Sequence, residues 1–247
     1  MQEDSLDFTN RTVFITGAAS GMGECASRAF AVRGASVVLA DVNLERAEAI
    51  ASEIRAAGGK ALAQKVDVRS YEQIETAVAN AEKEFGSVDV TVSFAGGEPG
   101  RMLNKSRDFA EQDQEVIDWG IEVNGRAPVY LARAVINGMM KRRRGVIINI
   151  GSIDGVTGGA LVYSFAKSGL IGFTKSLARY GASAGVRCNC VSPGPVLTRA
   201  AMAGMKTALG RAAEPKEVVD LILYLASDKA AFITGCNYLI DGGRACL

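Results

Sequence analysis

The stretch Thr16-Gly-Ala-Ala-Ser-Gly-Met-Gly23 decides the fold of this 247-residue chain. A short β-branched run, Thr12–Thr16, precedes the three glycines of this stretch. The last of them, Gly23, begins an amphipathic segment that continues to Arg33. Glycines between a strand and a helix let the chain turn tightly, and they let backbone N–H groups reach a pyrophosphate at the helix N-terminus. Many such turns use glycine only for its positive φ, so the stretch alone does not establish a nucleotide site.

The alternation of short apolar runs and longer amphipathic segments continues to the end of the chain. It predicts an α/β fold of the doubly wound Rossmann type, a mostly parallel seven-stranded sheet with helices on both faces. Because neither repeats nor linker-like shifts of composition interrupt it, we expect one domain over residues 1–247. The predicted strands are Thr12–Thr16, Ser36–Asp41, Ala61–Val68, Val88–Phe94, Val146–Ile150, Val186–Val191 and Tyr238–Ile240. The predicted helices are Gly23–Arg33, Leu44–Ala57, Tyr71–Phe85, Gln112–Lys141, Tyr163–Ala184 and Pro215–Ala226.

Two segments interrupt this alternation, at residues 96–111 and 193–214. Each follows a strand, at the edge where doubly wound sheets bind ligands, so we expect substrate loops, although plain surface loops would look the same. The second segment carries Met202, Met205 and Leu209 at helical spacing, a stripe that either covers a ligand or packs into the core. Arg101 and Lys105 in the first segment could bind an acidic group on a substrate or could be solvated charges.

Composition excludes several classes of partner. A net charge of +1 gives no reason to expect nucleic acid or an anionic membrane, and the basic run Lys141–Arg144 is typical of a helix C-terminus. Five cysteines without any histidine predict no metal site, and small buried cysteines indicate a reducing compartment. Residues Met1–Asp7 lack the apolar region of a signal peptide, and no apolar run is long enough to span a membrane, so we expect a cytoplasmic protein.

Two aspartates end predicted strands. At the end of the second strand, the carboxylate of Asp41 can accept hydrogen bonds from both hydroxyls of an adenosine ribose and would repel a 2′-phosphate. It therefore favours NAD over NADP, unless it only caps the helix that begins near Leu44. Asp67, at the end of the third strand, could bond the adenine amino group or simply cap a turn.

Tyr163 and Lys167 stand four residues apart in the run Val162-Tyr-Ser-Phe-Ala-Lys-Ser-Gly-Leu170. On a helix they share one face, so the phenol and the ammonium can converge. A nearby ammonium would lower the tyrosine pKa toward neutrality, where general acid–base catalysis is most effective. Such pairs also occur on solvated helix faces, and the glycine-rich turn upstream is what favours a catalytic pair here.

In these motifs and in their order the chain resembles the short-chain dehydrogenase/reductase family, from about residue 12 to residue 243. The cofactor turn, the tyrosine–lysine pair, a serine after the fifth strand and an asparagine in the long helix all match that family. The matching stretches beyond those already quoted are Val123-Asn-Gly125, Asn149-Ile-Gly-Ser152, Asn189–Thr198, which resembles the stretch that holds the nicotinamide, and Ile233–Gly243, which resembles the C-terminal strand and tail.

The resemblance implies hydride transfer between NAD(H) and a secondary alcohol or its ketone. Tyr163 would exchange a proton with the reacting oxygen, and Ser152 would hydrogen-bond that oxygen. Lys167 would lower the tyrosine pKa and bind the nicotinamide ribose, and Asn124 would hold a water that relays protons. Taken alone, Ser152 is a small turn residue and Asn124 a helix residue bonded to backbone. The implied cofactor residues are Gly17, Ser20, Gly21, Met22, Gly23, Asp41, Asp67, Val68, Ala95, Gly96, Tyr163, Lys167, Pro193, Gly194, Val196 and Thr198.

The chain departs from the family pattern at the fourth strand, where Asn-Asn-Ala-Gly is replaced by Ser93-Phe-Ala-Gly96. The first of those asparagines braces the sheet in the family, so the replacement puts local support in doubt. The Ser152–Tyr163 separation is about two residues shorter than is usual in the family. The lid after Thr198 is also shorter than in the family, and the segment from Gly96 to Asn124 is longer.

The four catalytic matches favour an enzyme, an NAD(H)-dependent alcohol dehydrogenase or ketone reductase, over a non-catalytic NAD-binding sensor or scaffold. A 3-oxoacyl-thioester reductase of lipid synthesis is the main alternative among enzymes. Such reductases generally use NADPH, and Asp41 and the lack of Lys or Arg in the glycine turn disfavour the binding of NADPH. We expect a homotetramer, because the two longest predicted helices are apolar on more than one face. We expect a medium-sized, largely apolar secondary alcohol as substrate, in a pocket walled by residues 97–105, 153–162 and 195–209.

Overall fold

Seven parallel strands form one sheet in the computed structural model, which describes residues 6–247. The sheet order is β3-β2-β1-β4-β5-β6-β7, which confirms the doubly wound α/β fold. The expectation about a signal peptide rests largely on residues 1–5, which lie outside the described residues. The strands are β1 Thr12–Thr16, β2 Ser36–Asp41, β3 Lys60–Lys65, β4 Val90–Ser93, β5 Gly145–Ile150, β6 Val186–Pro193 and β7 Asn237–Ile240.

Helices cover both faces of this sheet. Alternate residues of β1 separate the two layers, since Val13 and Ile15 pack against α1, α2 and α9, whereas Phe14 packs with α3, α6 and α8. Within residues 6–247 no helix is long and apolar enough to cross a membrane. The α-helices of the described chain are α1 Gly21–Val32, α2 Leu44–Ala56, α3 Tyr71–Phe85, α4 Pro99–Met102, α5 Gln114–Ile121, α6 Ala127–Arg142, α7 Asp154–Thr157, α8 Leu161–Gly181 and α9 Pro215–Ala226.

The single helix predicted over Gln112–Lys141 is wrong, because a π-helical segment, Glu122–Arg126, separates α5 from α6. Two residues account for the interruption. The side chain of Asn124 donates to the Gly120 carbonyl, the acceptor that its own backbone N–H would use in an α-helix. Pro128 has no N–H, so the carbonyl of Asn124 lacks the donor that an α-helix would supply. Single turns of π-helix occur mostly at functional sites.

The strand order reverses between β1 and β4, and this is where doubly wound sheets open a crevice for ligands. Thr16 and Ser93, the last residues of these strands, are register partners. The glycine turn leaves β1 at this edge, and residues 94–98 leave β4 beside it. The fold therefore sets the predicted cofactor turn directly against the loop that begins the first substrate segment.

The replacement at the fourth strand leaves two buried polar atoms without a partner. The hydroxyl of Ser93 and the side-chain oxygen of Asn149, on register partners of β4 and β5, make no hydrogen bond among the described residues. An asparagine at position 93 could reach further and donate its amide to Asn149. The replacement therefore weakens the hydrogen bonding between β4 and β5, behind the cleft.

Candidate active site

A cleft of about 770 Å³ runs along the carboxyl edge of the sheet. It brings the glycine turn, the ends of β2 and β3, the loop after β4 and the segment after β6 together with the tyrosine–lysine pair. Of the predicted site residues, those that line it are Gly17, Ser20, Gly21, Met22, Gly23, Asp41, Asp67, Val68, Ala95, Gly96, Ser152, Tyr163, Lys167, Pro193, Gly194, Val196 and Thr198. Asn124 does not line the cleft and is fully buried behind it.

The glycine turn has the shape that a dinucleotide pyrophosphate needs. A Cβ at Gly17 would lie 2.6 Å from the backbone nitrogen of Ala95, and one at Gly23 would lie 2.0 Å from the carbonyl oxygen of Gly17. These glycines therefore let the turn pack against both the β4 loop and α1. Ser20, at the N-cap of α1, makes no side-chain capping bond, which leaves the first N–H groups of the helix free for an anion. The turn thus fits the cofactor implied by the sequence.

Asp41 is half-buried, and its carboxylate is aimed at the glycine turn. Its two oxygens accept hydrogen bonds from the backbone N–H groups of Ala19, at 3.0 Å, and of Asn43, at 2.9 Å. Helix α2 is capped by Asn43, whose side chain accepts from the N–H of Arg46 at 3.0 Å. The alternative that Asp41 caps this helix is therefore wrong, and its carboxylate keeps lone pairs free at the cleft for a ribose.

Asp67 is held by the residue two positions later. Its oxygens accept from the backbone N–H and the guanidinium of Arg69, at distances of 2.6–3.1 Å. This hydrogen-bonded pair holds the pKa of the Asp67 carboxyl below its usual value. Asp67 thus caps a turn, which was one of its two expected roles. Its contact with the adenine amino group stays a prediction. Arg69 also lines the cleft, which the sequence did not indicate.

The ammonium of Lys167 is buried beneath the floor of the cleft. Only 3% of the residue is exposed, and its Nζ donates to the carbonyl oxygen of Ile150 at 2.8 Å. The same Nζ lies 5.5 Å from the centroid of the Tyr163 ring. Because burial penalises the charged form, the pKa of Lys167 falls to about 8. This lysine is therefore a buried cation whose nearest neighbours are a carbonyl and an aromatic ring.

The pKa of Tyr163 is shifted in the direction opposite to the one expected from the sequence. Burial of the phenol raises its pKa, and a hydrogen bond with Ser152 and the charges of Arg101 and Arg199 only partly oppose that rise. Lys167 gives its hydrogen bond to Ile150 instead of to the phenol oxygen. The expectation that the lysine lowers the tyrosine pKa is therefore wrong for the protein without cofactor, because desolvation outweighs the attraction between charges.

Ser152 is buried at the end of β5, beside Tyr163. Its Oγ accepts a hydrogen bond from the backbone N–H of Asp154 at 3.1 Å. It also lies close enough to the phenol of Tyr163 to lower the pKa of that phenol. The backbone bond fixes the position of the oxygen and leaves the hydroxyl proton to be donated. Ser152 and Tyr163 thus present two hydroxyl groups to the same point in the cleft.

The side chain of Asn124 holds the loop that follows β4. Its amide donates to the carbonyls of Gly97, at 2.9 Å, and Gly120, at 3.0 Å, and its oxygen accepts from the N–H of Gly97 at 2.8 Å. The side chain of Asn124 therefore bonds backbone groups, as expected for a polar residue within a helix. Both amide hydrogens are used, so a relay water, which stays a prediction, would bind the backbone carbonyl that Pro128 leaves without its helical donor.

The predicted pocket walls are found in two of three places. Residues 97–105 contribute Arg101 and Met102 to the cleft, and residues 195–209 contribute Arg199 and Met202, whereas residues 153–162 contribute none. The predicted helical stripe is wrong, because only the three residues 200–202 form a 3-10 turn and Leu209 is 73% exposed. Arg199 had no signal in the sequence beyond its place in a substrate segment.

No metal site emerges from the described residues, which contain no group of three or more His, Cys, Asp or Glu able to hold an ion. Two cysteines, Cys188 and Cys190, are buried in β6 close to the site. Burial raises the pKa of both thiols, to about 12 for Cys188, so they remain protonated at neutral pH.

Comparisons with known proteins agree with this geometry. A family model described as "Enoyl-(Acyl carrier protein) reductase" matches residues 17–245. The 3-oxoacyl-[acyl-carrier-protein] reductase FabG of Escherichia coli is 36% identical over 249 residues, which is 96% of this chain and 98% of the relative. The cis-4-hydroxycyclohexanecarboxylate dehydrogenase of Sinomonas cyclohexanicum is 36% identical over 251 residues, 96% of this chain and 97% of the relative. The crystal structure of a short-chain type dehydrogenase/reductase from Mycobacterium marinum matches with a TM-score of 0.91 at 30% identity, over 99% of this chain and 98% of that one.

Proposed function

The chain belongs to the short-chain dehydrogenase/reductase family of oxidoreductases, and from this premise we propose that it interconverts a secondary alcohol and its ketone with NAD(H). One observation carries the proposal: Ser152, Tyr163 and Lys167 line the same cleft as the glycine turn and Asp41. A dinucleotide laid along this edge would have its adenosine end at Asp41 and its reacting end beside Tyr163.

Tyr163 is the proposed acid and base. When bound, NAD⁺ would accept a hydride from the carbon that bears the hydroxyl, and NADH would return one. Tyr163 would take the hydroxyl proton onto its phenolate oxygen during oxidation, and its phenol would donate a proton to the carbonyl oxygen during reduction. Ser152 would hydrogen-bond the same substrate oxygen. Because the pKa of Tyr163 is raised, the phenol is protonated at neutral pH, which favours reduction there and favours oxidation at alkaline pH.

The preference for NAD(H) over NADP(H) is supported by the charges on the adenosine side of the cleft. The carboxylate of Asp41 faces this side, and Arg69, the arginine that lines the same side, is already paired with Asp67 at 2.6 Å. A 2′-phosphate would therefore meet a negative charge without an available cation. We expect NAD⁺ to bind at least tenfold more tightly than NADP⁺, a difference of about 1.4 kcal/mol.

Calorimetric titration with both cofactors tests this preference. Asp41→Ala should reduce it, because the variant removes the repulsion and the ribose acceptor together. The control is Asp220→Ala, which removes an exposed carboxylate on α9, outside the cleft. Equal affinity for the two cofactors in the wild-type protein, or tighter binding of NADP⁺, would contradict the assignment.

The similarity to FabG favours a second candidate, a 3-oxoacyl-thioester reductase. Against it stand the charges around Asp41, and the similarity to cis-4-hydroxycyclohexanecarboxylate dehydrogenase supports a small cyclic alcohol instead. An assay that compares 3-oxoacyl thioesters with cyclic ketones, each with NADH and NADPH, separates the two. Faster turnover of thioesters with NADPH would establish the second candidate.

We propose a homotetramer, because two separate surfaces of the protein expose large apolar side chains. On α8 these are Leu161, Phe165 and Tyr180, and near the C-terminal strand they are Phe232 and Leu239. Two self-complementary patches generate two two-fold axes. Phe165→Glu and Phe232→Asp should each produce dimers in light scattering. A wild-type monomer at micromolar concentration would contradict the proposal.

We also propose that the protein forms one domain and works in the cytoplasm. All seven strands belong to a single sheet, so the described chain offers no second core around which another unit could fold. All five cysteines are free thiols, as is usual in a reducing compartment. One cooperative unfolding transition, and unchanged stability under reducing conditions, are the expected results.

A further inference from the structure

Two arginines from distant parts of the chain line the substrate side of the cleft. Arg101 lies on α4, in the loop region after β4, and Arg199 lies in the segment after β6. Both line the cleft together with Tyr163 and Ser152. Partial burial and then the charge of Arg101 lower the pKa of Arg199, and the charge of Glu98 opposes this in part. Both charges also act on the phenol of Tyr163, the proposed acid and base.

Neither arginine has an acidic partner. Among residues 6–247, neither forms a salt bridge, and the Nη2 of Arg199 approaches only the sulfur of Met202, another residue of the cleft, at 3.8 Å. By contrast, Arg69, which lines the adenosine side of the same cleft, is paired with Asp67. Two like charges in one cleft repel each other, and an anion that binds to both of them relieves this repulsion.

Two carboxylates lie on this side of the molecule, Glu98 near Arg199 and Asp154 near Tyr163. The oxygens of Glu98 accept from the backbone N–H groups of Gly100, at 3.0 Å, and Arg101, at 2.7 Å, and so cap α4. Asp154 is half-buried, and burial raises the pKa of its carboxyl although the charge of Arg244 opposes that rise. Both arginines thus line the cleft, and neither guanidinium donates to a carboxylate of the described residues.

We propose that Arg101 and Arg199 bind a carboxylate on the substrate, so that the preferred substrates are secondary alcohols and ketones that also carry a carboxylate. This inference rests on the proposed function and specifies its substrate class. The planar fork of a guanidinium matches a carboxylate in two parallel hydrogen bonds. The negative charge of Glu98 near Arg199 disfavours a doubly charged phosphate. Between the arginines and Tyr163, Met102 and Met202 supply apolar walls for the body of the substrate.

A substrate with a carboxylate differs from the largely apolar substrate expected from the sequence. Of the two basic residues that could bind an acidic group of a substrate, Arg101 lines the cleft and Lys105 does not. The ammonium of Lys105 forms a salt bridge with Glu115. Lys105→Gln therefore removes one positive charge from the same loop without touching the proposed anion site, and it is the matched control.

The first test compares three alcohols of the same ring: 4-hydroxycyclohexanecarboxylate, its methyl ester and cyclohexanol. With NAD⁺, we expect kcat/KM of the wild-type enzyme to be at least tenfold higher for the carboxylate than for the ester. In the double variant Arg101→Gln, Arg199→Gln this ratio should fall at least tenfold, mainly through KM. Arg199→Lys should keep part of the preference, and Lys105→Gln all of it. The ratio is the readout because loss of the two charges also changes the pKa of Tyr163.

A second measurement does not depend on turnover. Cyclohexanecarboxylate, which lacks the reacting hydroxyl, should bind the NAD⁺ complex in calorimetry, and the double variant should weaken that binding at least tenfold. Both arginines are exposed, so the variants should fold, and a thermal midpoint within a few degrees of the wild-type value verifies this. Oxidation of cyclohexanol without any carboxylate preference would overturn the arginine proposal and leave the proposed function standing. Tighter binding of cyclohexyl phosphate than of the carboxylate, lost in the double variant, would overturn the choice of carboxylate.

Discussion

Replacing Lys167 by methionine should stabilise the protein while it removes the buried charge of the proposed site. Burial lowers the pKa of this lysine from its ordinary value of 10.5 to about 8. At about 1.4 kcal/mol for each pKa unit, keeping the ammonium in the folded chain costs about 3 kcal/mol below pH 8. Methionine has a similar length and no charge, but it leaves the carbonyl of Ile150 without its 2.8 Å hydrogen bond, a loss of about 1 kcal/mol. The net gain is about 2 kcal/mol at pH 7.

The pH dependence distinguishes this origin from better packing. Between pH 8 and pH 10.5 the folded lysine is neutral whereas the unfolded one is still charged, so the stability of the wild-type protein rises with pH. The advantage of Lys167→Met should therefore shrink over this range and be absent above it. At pH 7 the gain should raise Tm by about 4–8 °C for a chain of this size.

Thermal and urea unfolding of the cofactor-free protein at pH 7 and at pH 10 measure both effects. Lys175→Met, which replaces an exposed lysine on the same helix, is the control and should give no such gain. A variant of Lys167 that is less stable than the wild-type protein at pH 7, or a gain that does not change with pH, would refute the reasoning.

Three further variants or conditions test the site. Gly23→Ala should weaken NAD⁺ binding at least tenfold in calorimetry, because its Cβ would lie 2.0 Å from the carbonyl oxygen of Gly17, whereas Gly172→Ala, with open space around it, should not. Asn124→Ala should speed amide hydrogen exchange in the loop after β4 and lower kcat at least tenfold, since three hydrogen bonds are lost; exchange rates like those of the wild-type protein would contradict its anchoring role. Alcohol oxidation should accelerate with pH, and ketone reduction should slow at alkaline pH, because the pKa of Tyr163 is raised; an oxidation rate that is flat from neutral to alkaline pH would show that another group takes the proton.

The sheet and most of its helices could be predicted from the sequence, because buried parallel strands are short apolar runs and surface helices repeat their apolar residues every three to four positions. Strand β1 and helix α3, for example, begin and end where the pattern placed them. The break in the long helix could not be predicted in this way. It depends on the side chain of Asn124 competing for a backbone acceptor and on the missing N–H of Pro128, and neither changes the apolar periodicity.

In the candidate site, too, some features could be predicted from the sequence and others could not. The glycine turn and the tyrosine–lysine pair could be found from their spacing, and Ser152 from the resemblance to the family, and all of them line one cleft. The direction of the Tyr163 pKa was predicted wrongly, because the degree of burial of a phenol depends on loops that pack over it and not on its neighbours in sequence. The approach of Arg199 to Arg101 was missed for a similar reason, since it joins two irregular segments nearly a hundred residues apart.

Activity of Tyr163→Phe is the most direct test of the central claim, that this chain transfers hydride between NAD(H) and an alcohol with Tyr163 as acid and base. The substitution removes one hydroxyl and keeps the ring that lies over Lys167. We expect NAD⁺ affinity within about threefold of the wild-type value by calorimetry, and turnover of any secondary alcohol that the wild-type enzyme oxidises reduced by at least about a thousandfold. A variant that retained one third of the wild-type turnover, or a wild-type protein that bound no nicotinamide cofactor, would contradict the account.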